Sequence, residues 1–117
     1  VLSRDDALKF AKDWTEAWNA HDIEKILSHY SESVVLISPI AERLLGNGEV
    51  RGMEALREYF QKGLEAYPDL EFRLQDVMCG LRSIVLFYTN QNNVRAGEFM
   101  YLDERGKIAR VYAHYSG

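Results

Sequence analysis

One acid stands alone among apolar neighbours. On an expected strand over residues 94–102, Val94, Ala96, Glu98, Met100 and Leu102 share a face, and all but Glu98 are apolar. A carboxyl group on such a face is desolvated, which raises its pKa from the ordinary value of about 4.3. A group shifted that way can donate a hydrogen bond to a ligand oxygen, or act as acid or base near neutrality. Two plainer readings compete with this: a buried ion pair, and an acid that reaches the open mouth of a cavity. On the last expected strand, Val111, Ala113 and Tyr115 share one face, and Arg110, Tyr112 and His114 share the other. The first set is the more apolar. In this register His114 points away from Glu98, whereas a slip of one residue would bring its imidazole to the same side as a base.

Other chemistries lack their residues. Gly46-Asn47-Gly48 precedes a helix, but its third glycine is misplaced for a dinucleotide loop and no Lys-Ser/Thr follows. His21 and His29 lie across a helix break without an H-E-x-x-H context, so no metal site is expected. No G-x-S-x-G elbow surrounds any serine, and Cys79, the single cysteine, has no nearby histidine in sequence. Cys79 also excludes an internal disulfide and fits a reducing compartment, which makes a cytoplasmic location the expectation. No cofactor is implied.

The elements that must position these groups are legible from periodicity. Ser3, with Asp6 three residues on, reads as an N-cap. Behind it Ala7, Phe10, Ala11, Trp14, Ala17 and Trp18 form one apolar helical stripe. The two tryptophans, one turn apart, are either core or an aromatic wall for a flat ligand. Asp22 caps a second, short helix with Ile23, Ile26, Leu27 and Tyr30 on one side. The run Val34-Val35-Leu36-Ile37, stopped by Pro39, reads as a strand buried on both faces. Residues 40–52, with three glycines, read as a long loop: either a lid offering Glu42, Arg43 and Glu49 or a plain surface loop. A third helix carries Met53, Leu56, Phe60 and Leu64 inward and ends by Pro68. Four strands follow, over about 70–79, 83–90, 94–102 and 107–115, separated by hairpin residues. Helices at the front and hairpins at the back give an α+β class, with helices covering one face of a curved sheet.

Size and charge set the bounds. A chain of 117 residues suits one domain, 1–117, able to bury roughly two-thirds of its unfolded surface without a staple. Hydrophobic residues at 47% exclude intrinsic disorder, and no apolar run reaches membrane-spanning length. The stretch from Val1 to Asp6 does not read as a signal peptide. A net charge of −4 without a basic run argues against nucleic acid and anionic membranes as partners. Seven Tyr, five Phe and two Trp are enough aromatic surface to line a cavity as well as a core.

Three segments carry a resemblance. Trp14-Thr-Glu-Ala-Trp18-Asn-Ala-His-Asp22, with Ile26-Leu-Ser-His-Tyr30 and Val34-Val-Leu-Ile-Ser-Pro39, resembles the opening of the nuclear-transport-factor-two-like superfamily, closest in its SnoaL-like and ketosteroid-isomerase-like branch. Residues 51–60 are similar to its third helix and residues 98–115 to its last hairpin. The resemblance implies a cone-shaped roll: three N-terminal helices packed on a strongly curved, mainly antiparallel sheet. It also implies a conical, mostly apolar pocket and a homodimer through the sheet's convex face, here Arg110, Tyr112 and His114.

Carried over residue by residue, the isomerase chemistry fails. The branch's general base falls on Ser38, and its oxyanion tyrosine and two supporting tyrosines fall on Trp14, Tyr30 and Phe60. A serine without a base partner cannot abstract a carbon-bound proton near neutral pH. Glu98, however, aligns with a pocket acid of the branch. The expectation is therefore a small, largely apolar or aromatic ligand, with Glu98 as catalytic acid/base of isomerase, cyclase or hydrolase type. Trp14, Trp18, Tyr30, Ser38, Phe60, Met100, Val111, Ala113 and Tyr115 would form the pocket wall. A non-catalytic binding or dimeric assembly module is the alternative.

Overall fold

The computed structural model describes residues 2–117; Val1, the first residue of the stretch read above as no signal peptide, lies outside them. Among the described residues the elements run α1 (Arg4–Asn19), α2 (Ile23–Leu27), β1 (Tyr30–Ile37), α3 (Pro39–Leu45), β2 (Glu49–Arg51), α4 (Met53–Ala66), β3 (Arg73–Cys79), β4 (Ser83–Thr89), β5 (Arg95–Leu102) and β6 (Ile108–Tyr115). Ser3 caps α1 by accepting from the Asp6 amide at 3.1 Å, and Asp22 caps α2 through the Lys25 amide at 3.2 Å. The apolar stripe of α1 is buried as its spacing predicts, with Ala7, Ala11, Trp14, Ala17 and Trp18 inside.

Two expectations are corrected. Tyr30 does not extend the second helix but opens β1, because α2 stops at Leu27 and Ser28 caps it. The stretch 40–52 is not an open loop. Ser38 accepts from the Ile40 amide at 3.1 Å, Pro39 occupies the first turn, and α3 forms until Gly46 ends it at φ 78°. The strand β2 follows and pairs with β1. The helices among the described residues thus number four rather than three.

One six-stranded sheet has the order β2-β1-β6-β5-β4-β3, antiparallel except where β1 runs parallel to β6. Shifts of register in β3, in β6 against β5, and in β1 bend it. The α+β cone expected from the sequence is the fold observed, with α1 lying across β3 and α4 against β1 and β2. No helix among the described residues is long and apolar enough to cross a membrane.

Candidate functional site

Sheet register lays the concave face out in rows. Ile84, Met100 and Val111 stand side by side, then Leu86, Glu98 and Ala113, then Tyr88, Ala96 and Tyr115. Over the last two rows a cavity of about 380 Å³ opens between the sheet and the helices. That volume suits a drug-sized molecule. Its wall includes Trp14, Trp18, Tyr30, Ser38, Phe60, Glu98, Ala113 and Tyr115. Met100 and Val111 are not part of it. Both are 0% exposed one row deeper, where the narrow end of the cone is filled by core side chains.

Aromatic contacts build the wall. Trp14 stacks on Phe72 at 5.7 Å and meets Tyr88 at 5.5 Å, while Trp18 meets Phe60 edge-on at 4.7 Å. Phe72 lies outside any strand, so periodicity could not place it. Asn19 holds it there: its amide donates to the Phe72 carbonyl at 2.8 Å and accepts from the Phe72 amide at 2.7 Å. The Trp14 indole donates to the Tyr30 hydroxyl at 3.0 Å. Trp18 Nε1 is buried without a hydrogen-bond partner, although it lies close enough to Tyr30 to lower that hydroxyl's pKa. Burial outweighs both indoles and pushes the Tyr30 pKa up.

Glu98 is 6% exposed, faces the cavity, and takes part in none of the ion pairs among the described residues. The ion-pair reading is thereby set aside. The Tyr88 hydroxyl donates to its Oε2, leaving Oε1 for another partner. Burial raises the Glu98 pKa to about 7, against the opposing pull of the Tyr88 hydrogen bond. Neutral and ionised forms therefore coexist near neutral pH.

Further hydroxyls surround this acid: Ser38 and Tyr115, already expected in the wall, and Tyr59 and Tyr88, unrecognised from sequence. Ser38 Oγ lies 3.4 Å from the Tyr59 hydroxyl. Tyr115 feels both Ser38 and Tyr88, whose hydrogen bonding pulls its pKa down while burial drives it well above the ordinary value. Burial pushes Tyr59 up to about 12 and Tyr88 well above the ordinary value, with the Glu98 charge adding to both. These phenols stay protonated, as a donor to an oxyanion must. Of the three tyrosine positions of the isomerase branch only Tyr30 keeps a hydroxyl, yet other hydroxyls converge from β4, β6, α4 and the β1 end. Alternation in β4 (Ile84, Leu86, Tyr88) is the signal for Tyr88. Tyr59 adjoins Phe60 on the inner face of α4.

His114 is exposed on the opposite face, its Nδ1 3.2 Å from the Tyr112 carbonyl oxygen. The unslipped register holds, and Arg110, Tyr112 and His114 all lie outside the cavity. Among the described residues no group of three or more His, Cys, Asp or Glu could hold a metal ion.

Comparison with known proteins fits this geometry. The model of the SnoaL-like domain matches residues 11–111. The chain belongs to the SnoaL-like family. A SnoaL-like protein of unknown function from Burkholderia thailandensis is 30% identical, with a TM-score of 0.94 over 99% of this chain and 98% of that one. Two more distant structures share the SnoaL-like fold. SalBIII, an epoxide hydrolase/cyclase-like enzyme with a role in pyran ring formation in salinomycin, is 16% identical. Its TM-score is 0.78 over 99% of this chain and 95% of its own. TerC, co-crystallised with polyporic acid, is 13% identical with a TM-score of 0.78, covering 94% of this chain and 91% of its own. No protein of curated function matches the chain.

Proposed function

We propose that this SnoaL-like protein binds a small, largely apolar or aromatic molecule in the cavity and performs acid/base chemistry on it, of isomerase, cyclase or hydrolase type. The observation that carries this reading is Glu98, a single buried acid aimed into an aromatic cavity, with Tyr88 on one oxygen and the other free. Protonated, Oε1 donates to a carbonyl, epoxide or phenol oxygen; ionised, the carboxylate takes a proton from a polarised C–H or from water. The hydroxyls of Tyr115, Ser38 and Tyr59 are the donors available to negative charge as it develops. Chemistry on a cyclic or epoxide-bearing substrate is consistent with what is described for SalBIII.

The protein would act as a homodimer through its convex face. There Met78, Val85, Phe99, Tyr112 and Ile37 stand in register across five strands as one apolar row, which a second copy related by a two-fold axis would cover. That row also favours the alternative of a non-catalytic assembly module, and one comparison separates the two. Turnover of a panel of aromatic epoxides and enolisable aromatic ketones should fall at least about a hundredfold in Glu98→Gln with the fold retained. For the wild type, the affinity of a non-reacting aromatic ketone should weaken as pH rises through about 7, and Glu98→Gln should lose that dependence. Binding with this pH profile but without turnover would leave the module reading. A flat pH profile would remove Glu98 from the site.

A further inference from the structure

Among the described residues the cavity wall carries, besides the titrating Glu98, one permanently ionised side chain, Arg43. It belongs to α3, the helix that replaces the expected loop, and stands at the exposed end of the cavity, whereas Glu98 lies buried. Its guanidinium donates to the Tyr67 hydroxyl at 2.9 Å and enters none of the ion pairs among the described residues. A guanidinium has five N–H donors, and a phenol that accepts from it keeps its own proton to donate elsewhere. The charge is felt inward too, since Arg43 opposes the burial-driven rise of the Tyr59 pKa. The wall is therefore polarised. An uncharged or partly charged acid sits deep, and an unpaired cation beside a free phenol proton sits at the mouth, with no second acidic side chain among the described lining residues.

We infer that Arg43 and Tyr67 form an anion subsite, so that preferred ligands have an apolar or aromatic body ending in a carboxylate, which docks at the mouth while a neutral oxygen at the other end meets Glu98. A guanidinium recognises a carboxylate through paired N–H donors, and Tyr67 supplies a further donor. This deepens the ligand-binding reading and rests on it. Arg43 is a binding residue here and takes no part in proton transfer.

Calorimetry with naphthoate and naphthamide, matched in shape and different in charge, tests the inference at about pH 6, where the carboxylate is ionised. Wild type should bind naphthoate about tenfold more tightly, and raising salt from about 50 mM to about 500 mM should narrow that gap. Arg43→Gln should lower naphthoate affinity about tenfold and leave naphthamide within about twofold. Tyr67→Phe, which keeps the ring, should lower naphthoate binding about threefold and decides the matter if Arg43→Gln fails to fold. Equal affinities in the wild type, or equal losses of both ligands in the variants, would overturn the subsite while leaving the cavity as a ligand site. If neither probe binds, the ligand-binding reading falls together with the subsite.

Discussion

Strands β4, β5 and β6 carry two aromatic faces that differ in what their polar atoms do. On the concave face the aromatic groups are phenols with their hydroxyls committed inward: Tyr88 to Glu98, and Tyr115 toward Ser38 and Tyr88. On the convex face the rings are partly exposed and dressed with cations. Arg82 lies over Tyr101 at 5.8 Å, Arg110 over Tyr112 at 5.7 Å, and Phe99 meets Tyr112 at 6.0 Å. Alternation with period two assigns neighbouring residues to opposite environments, so Glu98 is buried while Phe99 is 37% exposed. One stretch of backbone thus serves two ends. Low dielectric on the inner side tunes an acid, and wet aromatic surface on the outer side suits contact with another chain.

The sharpest way to break this contrast lies within the concave face itself. Val111 and Ala113 alternate on the same strand, yet Val111 is sealed in the core and Ala113 lines the cavity. Val111→Trp should overpack the core and lower stability by about 3 kcal/mol, read by urea unfolding. Ala113→Phe should lower it by less than about 1 kcal/mol, because the ring enters existing space, and should abolish naphthamide binding. Similar destabilisation in both would mean that the cavity does not extend over Ala113.

Of comparable size is the stability effect of the buried acid. Glu98 has a folded pKa of about 7 against an ordinary 4.5, so between these values the folded state holds a proton that the unfolded state has lost. Stability from this group is therefore full below about pH 4.5, falls as pH rises, and reaches its floor above about pH 7. The shift corresponds to about 3 kcal/mol across the window. Glu98→Gln should lack this decline and be the more stable protein at about pH 8, measured by urea melts from about pH 4 to 8. An identical decline in the variant would assign it to another group.

The smallest expected effect concerns the outer face alone. Phe99→Arg places a charge in the centre of the convex row, which should convert the proposed dimer to a monomer in sedimentation while naphthamide affinity stays within about twofold. A change in cavity affinity would show that the two faces are coupled through the sheet.

Much of this architecture is legible in the order of the residues. The α1 stripe, the three C-terminal hairpins and the isolation of Glu98 follow from periodicities of about 3.6 and 2. Tyr30 misleads because it falls four residues after Ile26, a helical spacing, although the chain has already turned into β1. At the start of α3, Pro39 stops the strand as expected, yet Ser38-Pro39 is also a helix start. Three nearby glycines mask that signal by suggesting a loop. The placement of Met100 and Val111 depends on how far along the cone the core fills it, which alternation cannot tell. Phe72, Arg43 and Tyr67 reach the cavity through the Asn19 clamp and the packing of α3 on α4, contacts between segments far apart in the chain.

The sheet order has a consequence for biogenesis. β6, the last strand among the described residues, lies in the interior of the sheet between β1 and β5. Until it emerges from the ribosome, the β2-β1 pair and the β5-β4-β3 meander have no strand to join them, and Glu98 lacks its neighbour Ala113. Long-range pairing of this kind is slow, because loop closure must precede the contacts that reward it. A nascent chain would expose the unpaired edge of β1 from the making of that strand until β6 is made, and β6 would then join β1 to β5 in one continuous sheet.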